Sequence, residues 1–170
     1  MPDDHDAMLR RWRENAAREE DANFRFLRSL KMVSDPDPID SLARERHEEV
    51  FARIDCTRCA NCCKTIQPGF TGADVERIAA HLGMSREAFV EAHLEIDPEE
   101  GGHRTRRTPC PFLGEDDRCT IYAVRPEACR EYPHTDKDGF TRRTYLHAAN
   151  TLSCPATYHI VMGLRLLRGR

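Results

Sequence analysis

The run Cys56-Thr57-Arg58-Cys59-Ala60-Asn61-Cys62-Cys63 decides how this chain is read. Two thiols separated by two residues can turn back onto one metal. Amide N–H groups in such a turn can donate to the sulfurs, and the same spacing serves zinc knuckles and iron–sulfur loops. Adding Cys62 gives C-x2-C-x2-C, the first three ligands of a bacterial ferredoxin-type run. The fourth cysteine of that run, three residues on and followed by Pro, is missing. A distant thiol must therefore close the site, and Cys154-Pro155 is one candidate. There is no second C-x2-C-x2-C, which excludes a standard two-cluster ferredoxin. Cys62 and Cys63 are adjacent and neighbouring side chains usually diverge, so the pair is not expected on a single ion.

Working outward, the chain carries eight cysteines in all: Cys56, Cys59, Cys62, Cys63, Cys110, Cys119, Cys129 and Cys154. Eight thiols allow two four-thiolate sites, or one with four spares, and spacing leaves both open. Disulfide or ligand is a question of compartment. The opening Met-Pro-Asp-Asp-His-Asp has no basic n-region, apolar h-region or small-residue cleavage site, so the reading is a cytoplasmic chain whose thiols hold metal. His134 and His159 lie close enough in sequence to Cys129 and Cys154 to complete a Cys₃His site. A solvated surface histidine is the simpler account of each, and His81 and His93 read as surface or partly packed residues on helices.

The remaining residues set the frame. The chain has 170 residues, 39% of them hydrophobic and 32% charged, with a mean hydropathy of −0.68. This is a one-domain length with a small core and no membrane span. With 26 basic and 29 acidic residues the net charge is −3, which argues against a globally basic nucleic-acid binder. Leu9, Trp12, Ala16, Leu27 and Leu30 predict one amphipathic helix over residues 7–33, stopped by Pro36 and Pro38. A second helix is expected over 38–54, delivering the chain into the cysteine run. Gln67-Pro68-Gly69 reads as a turn. Thr71 or Asp74 is expected to cap a helix ending at Gly83, and Ser85 another over 86–94. A hairpin is expected over residues 109–122, a short helix behind Pro126, and helix again over 145–167 broken at Cys154-Pro155. The fold class is thus mainly α with a small β-hairpin, α+β and irregular. Residues 1–50 are expected to form a helical extension and 51–170 a cysteine-cluster metal-binding domain.

Beyond the first run stand Cys110-Pro111-Phe112-Leu113, Cys119-Thr120-Ile121-Tyr122, and Arg125-Pro126-Glu127-Ala128-Cys129-Arg130 followed by Pro133. With Cys56–Cys63, these elements in this order resemble the CxxCxxCC cysteine-cluster family, the YkgJ-like proteins, described as zinc- or iron-chelating. The resemblance spans roughly half the chain and implies a cysteine-bound metal centre in a small intracellular protein. It implies no reaction, because the family is named for its cysteines. Many relatives are expected to carry Gly where this chain has Ala60-Asn61, and Asn61 tolerates left-handed geometry.

Arg58, Arg118, Arg125 and Arg130 stand beside cysteines. A tetrathiolate zinc or an oxidised four-iron cluster is a negative centre that guanidinium groups would offset. Of the 26 basic residues 23 are Arg, so proximity alone says little, and the role is assigned to Arg125 and Arg130, which lie in the family motif. The cofactor expectation is an iron–sulfur cluster, favoured by the triple run, or Zn²⁺. No phosphate-binding glycine loop, dinucleotide fingerprint or G-x-S-x-G elbow is present. The function read here is a metal-binding protein for electron transfer, redox sensing or iron handling. The alternative is a structural-zinc interaction module without catalysis. Its partners are a metal ion or cluster, with no membrane.

Overall fold

Asn15 divides the expected first helix in two. In the computed structural model, which describes residues 4–99 and 101–168, helix α1 runs Asp4–Asn15 and α2 runs Glu20–Leu30. The Asn15 amide donates to the Arg11 carbonyl at 2.7 Å, and Arg18 donates to the Asn15 side-chain oxygen. Side chains that engage nearby backbone compete with helical continuation, and the chain turns before α2. Leu9, Trp12, Ala16, Leu27 and Leu30 are all buried, so the periodicity located the core face correctly.

Helix α3 (Asp37–Phe51) starts behind Pro36 with a second proline in its first turn, where a missing N–H costs nothing. The cysteine run itself folds as two short helical turns, α4 (Cys56–Cys59) and α5 (Asn61–Thr65). Thr71 caps α6 (Gly72–His81) through a capping box with Asp74, and Gly83 follows at φ +68°. The Ser85 hydroxyl accepts from the Ala88 amide at the start of α7 (Arg86–His93). Then come α8 (Glu127–Glu131), α9 (Thr144–Ser153) and α10 (Pro155–Arg168), the last two divided at Cys154 as expected.

The β-structure differs from expectation in its place. Strands β1 (Gly69–Phe70), β2 (Leu94–Ile96) and β3 (His103–Thr105) form an antiparallel sheet in the order β1-β3-β2, with Leu94 opposite Thr105 and Gly69 opposite Arg104. Gly69 therefore enters a strand and not the expected turn. The hairpin is β2–β3, whereas the one expected over 109–122 reduces to a single antiparallel bridge, Leu113 to Cys119. Pro109 and Pro111 have no N–H to lend to a ladder, which limits pairing there. The chain is mostly helical with this small sheet. Among the described residues no helix is long and apolar enough to cross a membrane.

The chain clusters into two compact units, one built from the chain up to Cys59 and from Pro133 onward, the other from Ala60–Tyr132. In the first unit α1 and α3 pack on α10, and α2 packs on α9. Trp12 packs with Ala16 and Tyr158, and its indole N–H donates to the Thr151 carbonyl at 2.9 Å. Trp12 is thus a packing anchor. In the second unit Phe70, Val75, Ile78, Phe89, Leu94, Phe112 and Ile121 form the core, and Cys110 and Cys119 pack against it.

Candidate metal centre

Asp55 starts the C-x2-C turn. Its carboxylate accepts from the Thr57 amide at 2.8 Å and the Thr57 hydroxyl at 2.7 Å, and its carbonyl accepts from the Arg58 and Cys59 amides. The Thr57 hydrogen bond holds the Asp55 carboxyl below the usual range. The Asp55 amide in turn donates to Nδ1 of the buried His5 at 3.1 Å. Cys56 and Cys59 sit one helical turn apart on α4, Cys56 exposed and Cys59 half-buried. In the same unit Cys154 lies buried at the start of α10, where the amides of Thr157 and Ala156 act to lower its thiol. Burial pushes its thiol up, and Cys59 is near enough to add to the rise.

Between α4 and α5 the chain reverses at Ala60, which takes φ +49° and is 3% exposed. The left-handed residue is therefore Ala60 and not Asn61, because Asn61 is already the first residue of α5. Cys62 and Cys63 then lie side by side on α5. Cys62 holds the Cys63 thiol down at about 7, ahead of burial, which opposes it.

The second unit gathers the remaining cysteines around Cys63. The Cys110 amide donates to the Cys63 carbonyl at 2.7 Å, joining α5 to the Cys110-Pro111-Phe112-Leu113 segment. The chain then closes on itself, with Gly114 donating to the Arg118 carbonyl at 2.8 Å and Thr120 to the Phe112 carbonyl at 2.9 Å. That closure presents Cys119 beside Leu113. A Cβ at Gly114 would fall 2.9 Å from Oδ1 of Asp116, so only glycine fits this turn unshifted. Lys64 on α5 pairs with Asp117 in the same turn at 2.6 Å, an exposed pair worth little by itself. Cys129 follows on α8.

Electrostatically Cys63 acts on Cys110, Cys119 and Cys129. Burial raises Cys110 to about 11, and the charges of Cys63 and Cys119 add to that rise. Burial also raises Cys119, with Cys63 contributing. Cys129 reaches about 12, again first from burial and then from Cys63, Cys110 and Cys119. Four half-buried thiols in mutual range resist ionising together, and a divalent cation or iron cluster inverts that preference. An all-sulfur set of this kind suits tetrahedral zinc or an iron–sulfur cluster by donor chemistry. Among the described residues, no group of three or more His, Cys, Asp or Glu side chains is placed so that it could hold a metal ion.

The arginines divide. The Arg125 guanidinium lies 3.9 Å over the Tyr122 ring and donates to the Tyr122 carbonyl at 2.9 Å. Its charge opposes the rise at Cys119 and Cys129. Arg130 instead donates to the Arg125 carbonyl at 3.0 Å. Arg58 pairs with Asp6 at 3.7 Å, and the Arg118 amide donates to Asp116. Arg107, not singled out in the sequence, contributes its charge at Cys110.

His81 is exposed and His93 partly packed, as expected, whereas His159 is engaged with backbone. A ring nitrogen of His159 meets the Met8 carbonyl at 2.9 Å, and the His93 ring packs on Phe89 and Phe112. His134 takes φ +65° just after Pro133. His147 went unnoticed in the sequence, yet it is fully buried and stacked on Phe140 with ring centroids 4.1 Å apart.

Residues 55–152 match the model of the CxxCxxCC family, whose description is "Putative zinc- or iron-chelating domain". No curated protein and no solved structure matches the chain.

Proposed function

The chain belongs to the CxxCxxCC family of zinc- or iron-chelating domains, and from that premise we propose that it is a cytoplasmic iron–sulfur protein of the YkgJ-like kind, serving electron transfer, redox sensing or iron handling. The observation that carries the reading is the placement of Cys63, Cys110, Cys119 and Cys129 in one unit, where the Cys110 amide donates to the Cys63 carbonyl at 2.7 Å and Cys63 adds to the rise of the other three thiols. These four would hold a cluster, with the Cys62 thiol as hydrogen-bond donor to Cys63. Cys56, Cys59 and Cys154 make a second thiol set in the other unit. A bound iron–sulfur cluster supplies one-electron chemistry. Arg125 would offset the negative charge of the loaded thiolates and Arg130 would brace it through the Arg125 carbonyl.

The separate variants Cys63→Ser and Cys62→Ser test this assignment. Measured as metal bound per chain after anaerobic purification, Cys63→Ser should lose most of the metal held by this unit and Cys62→Ser much less. Equal and complete loss from both would contradict a ligand-and-donor pair.

A further inference from the structure

Asp74 is 1% exposed, and its carboxylate accepts four hydrogen bonds. One oxygen takes the Thr71 amide at 2.9 Å and the Thr71 hydroxyl at 2.8 Å. The other takes Nη2 of Arg77 at 2.5 Å and the Glu127 amide at 3.1 Å. The first pair is the cap of α6 and needs no further explanation. The second pair reaches a different element. Glu127 opens α8, whose preceding residue, Pro126, offers no side-chain cap. The α6 carboxylate therefore satisfies the first orphan amide of α8 from outside that helix.

Arg77 extends the same link. Its Nη2 donates to the Arg125 carbonyl at 3.1 Å and approaches the Val124 carbonyl at 3.5 Å, while Arg130 donates to the same Arg125 carbonyl at 3.0 Å. The segment between Cys119 and Cys129 is thus held at successive backbone groups by one buried acid and its arginine. Cys129 is two residues beyond Glu127, and its amide closes on the Pro126 carbonyl at 3.0 Å. A cap for α6 requires only Thr71 and Asp74, so the bonds to 124–127 are additional to capping.

We propose that Asp74 and Arg77 are positioning residues for the Cys129 thiol, setting where α8 presents it to the other cysteines of the centre. The inference rests on the metal-binding reading above, with Cys129 as a ligand. Outer partners that orient ligands typically change metal affinity by about 10–100-fold when removed.

The test uses the full chain loaded anaerobically with Co²⁺, read by its thiolate-to-cobalt absorption and by the rate of cobalt loss to a chelator. Asp74→Asn removes the charge and part of the acceptor capacity. Glu127→Pro removes the α8 amide, at a first helical position that accepts proline, along with the Glu127 side chain, and read against Glu127→Ala, which keeps the amide, it carries the test should Asp74→Asn not fold. Thr71→Ala weakens the α6 cap and leaves the link to α8 intact. The expected result is a shifted cobalt spectrum and a loss rate raised by about 10–100-fold in Asp74→Asn or Glu127→Pro, with Thr71→Ala and Glu127→Ala spectrally like the parent. Parental spectrum and rate in the two linking variants would overturn the positioning role while leaving the metal centre standing. An equal spectral shift in Thr71→Ala would reduce the effect to ordinary capping and overturn it too. A parent chain showing no thiolate–cobalt absorption would overturn the metal-binding reading, and the inference with it.

Discussion

Ala60 holds a left-handed conformation at φ +49° between the two halves of the cysteine run. For a residue with a Cβ that geometry costs about 1–2 kcal/mol, against about 0.8 kcal/mol for burying the methyl. Ala60→Gly should therefore stabilise the chain by up to about 1 kcal/mol, raising Tm by a few degrees on the order of 2–4 °C. A fall in Tm would mean that the methyl packs better than its strain costs. At this scale the ligand types were legible in the sequence, since eight thiols at such spacing state their own chemistry. Which thiols come together was not, because the approach of Cys110 to Cys63 joins backbone segments far apart in the chain. Asp74 was legible as a helix cap and not as the partner of Glu127, 53 residues away.

Elements with local signals were the ones the sequence specified best. Thr71, Ser85 and Pro126 begin their helices, and Cys154-Pro155 divides the last two, because capping and proline effects act within a turn. The break after Asn15 and the sheet strands were missed. Strands of two or three residues carry too few side chains to register an alternation, and their pairing is long-range. Helix α9 supplies a further test. Both ring nitrogens of His147 lack a hydrogen-bond partner, and burial first, then Arg143 and His134, depress its pKa to about 3, with Asp40 opposing. The folded chain thus keeps this ring neutral where the unfolded chain, with an ordinary value of 6.5, takes up a proton. The stability it preserves is complete above pH 6.5 and is lost as pH falls toward 3, at up to about 1.4 kcal/mol per pH unit. Between pH 7 and 5 the parent should lose on the order of 2 kcal/mol more than His147→Gln in urea unfolding. Equal losses would show that the ring is solvated.

At the scale of the whole molecule, the chain divides its thiols between its two units, with Cys56, Cys59 and Cys154 in one and the other five in the second. The mainly helical class with a little antiparallel sheet follows from composition and punctuation, but this division does not. It arises because the chain leaves the first unit after Cys59 and returns at Pro133, a path set by packing on α9 and α10. In the second unit Cys110 and Cys119 pack against a core of aromatic and aliphatic residues, where a bound metal would add cross-links that the apolar surface lacks. The most direct measurement is metal and acid-labile sulfide content, with a visible spectrum, on protein purified without oxygen. Iron with matching sulfide and a brown colour that bleaches on reduction is the predicted result. Zinc without sulfide or colour would contradict the iron–sulfur assignment and make the centre structural, and a chain free of metal would contradict the centre itself.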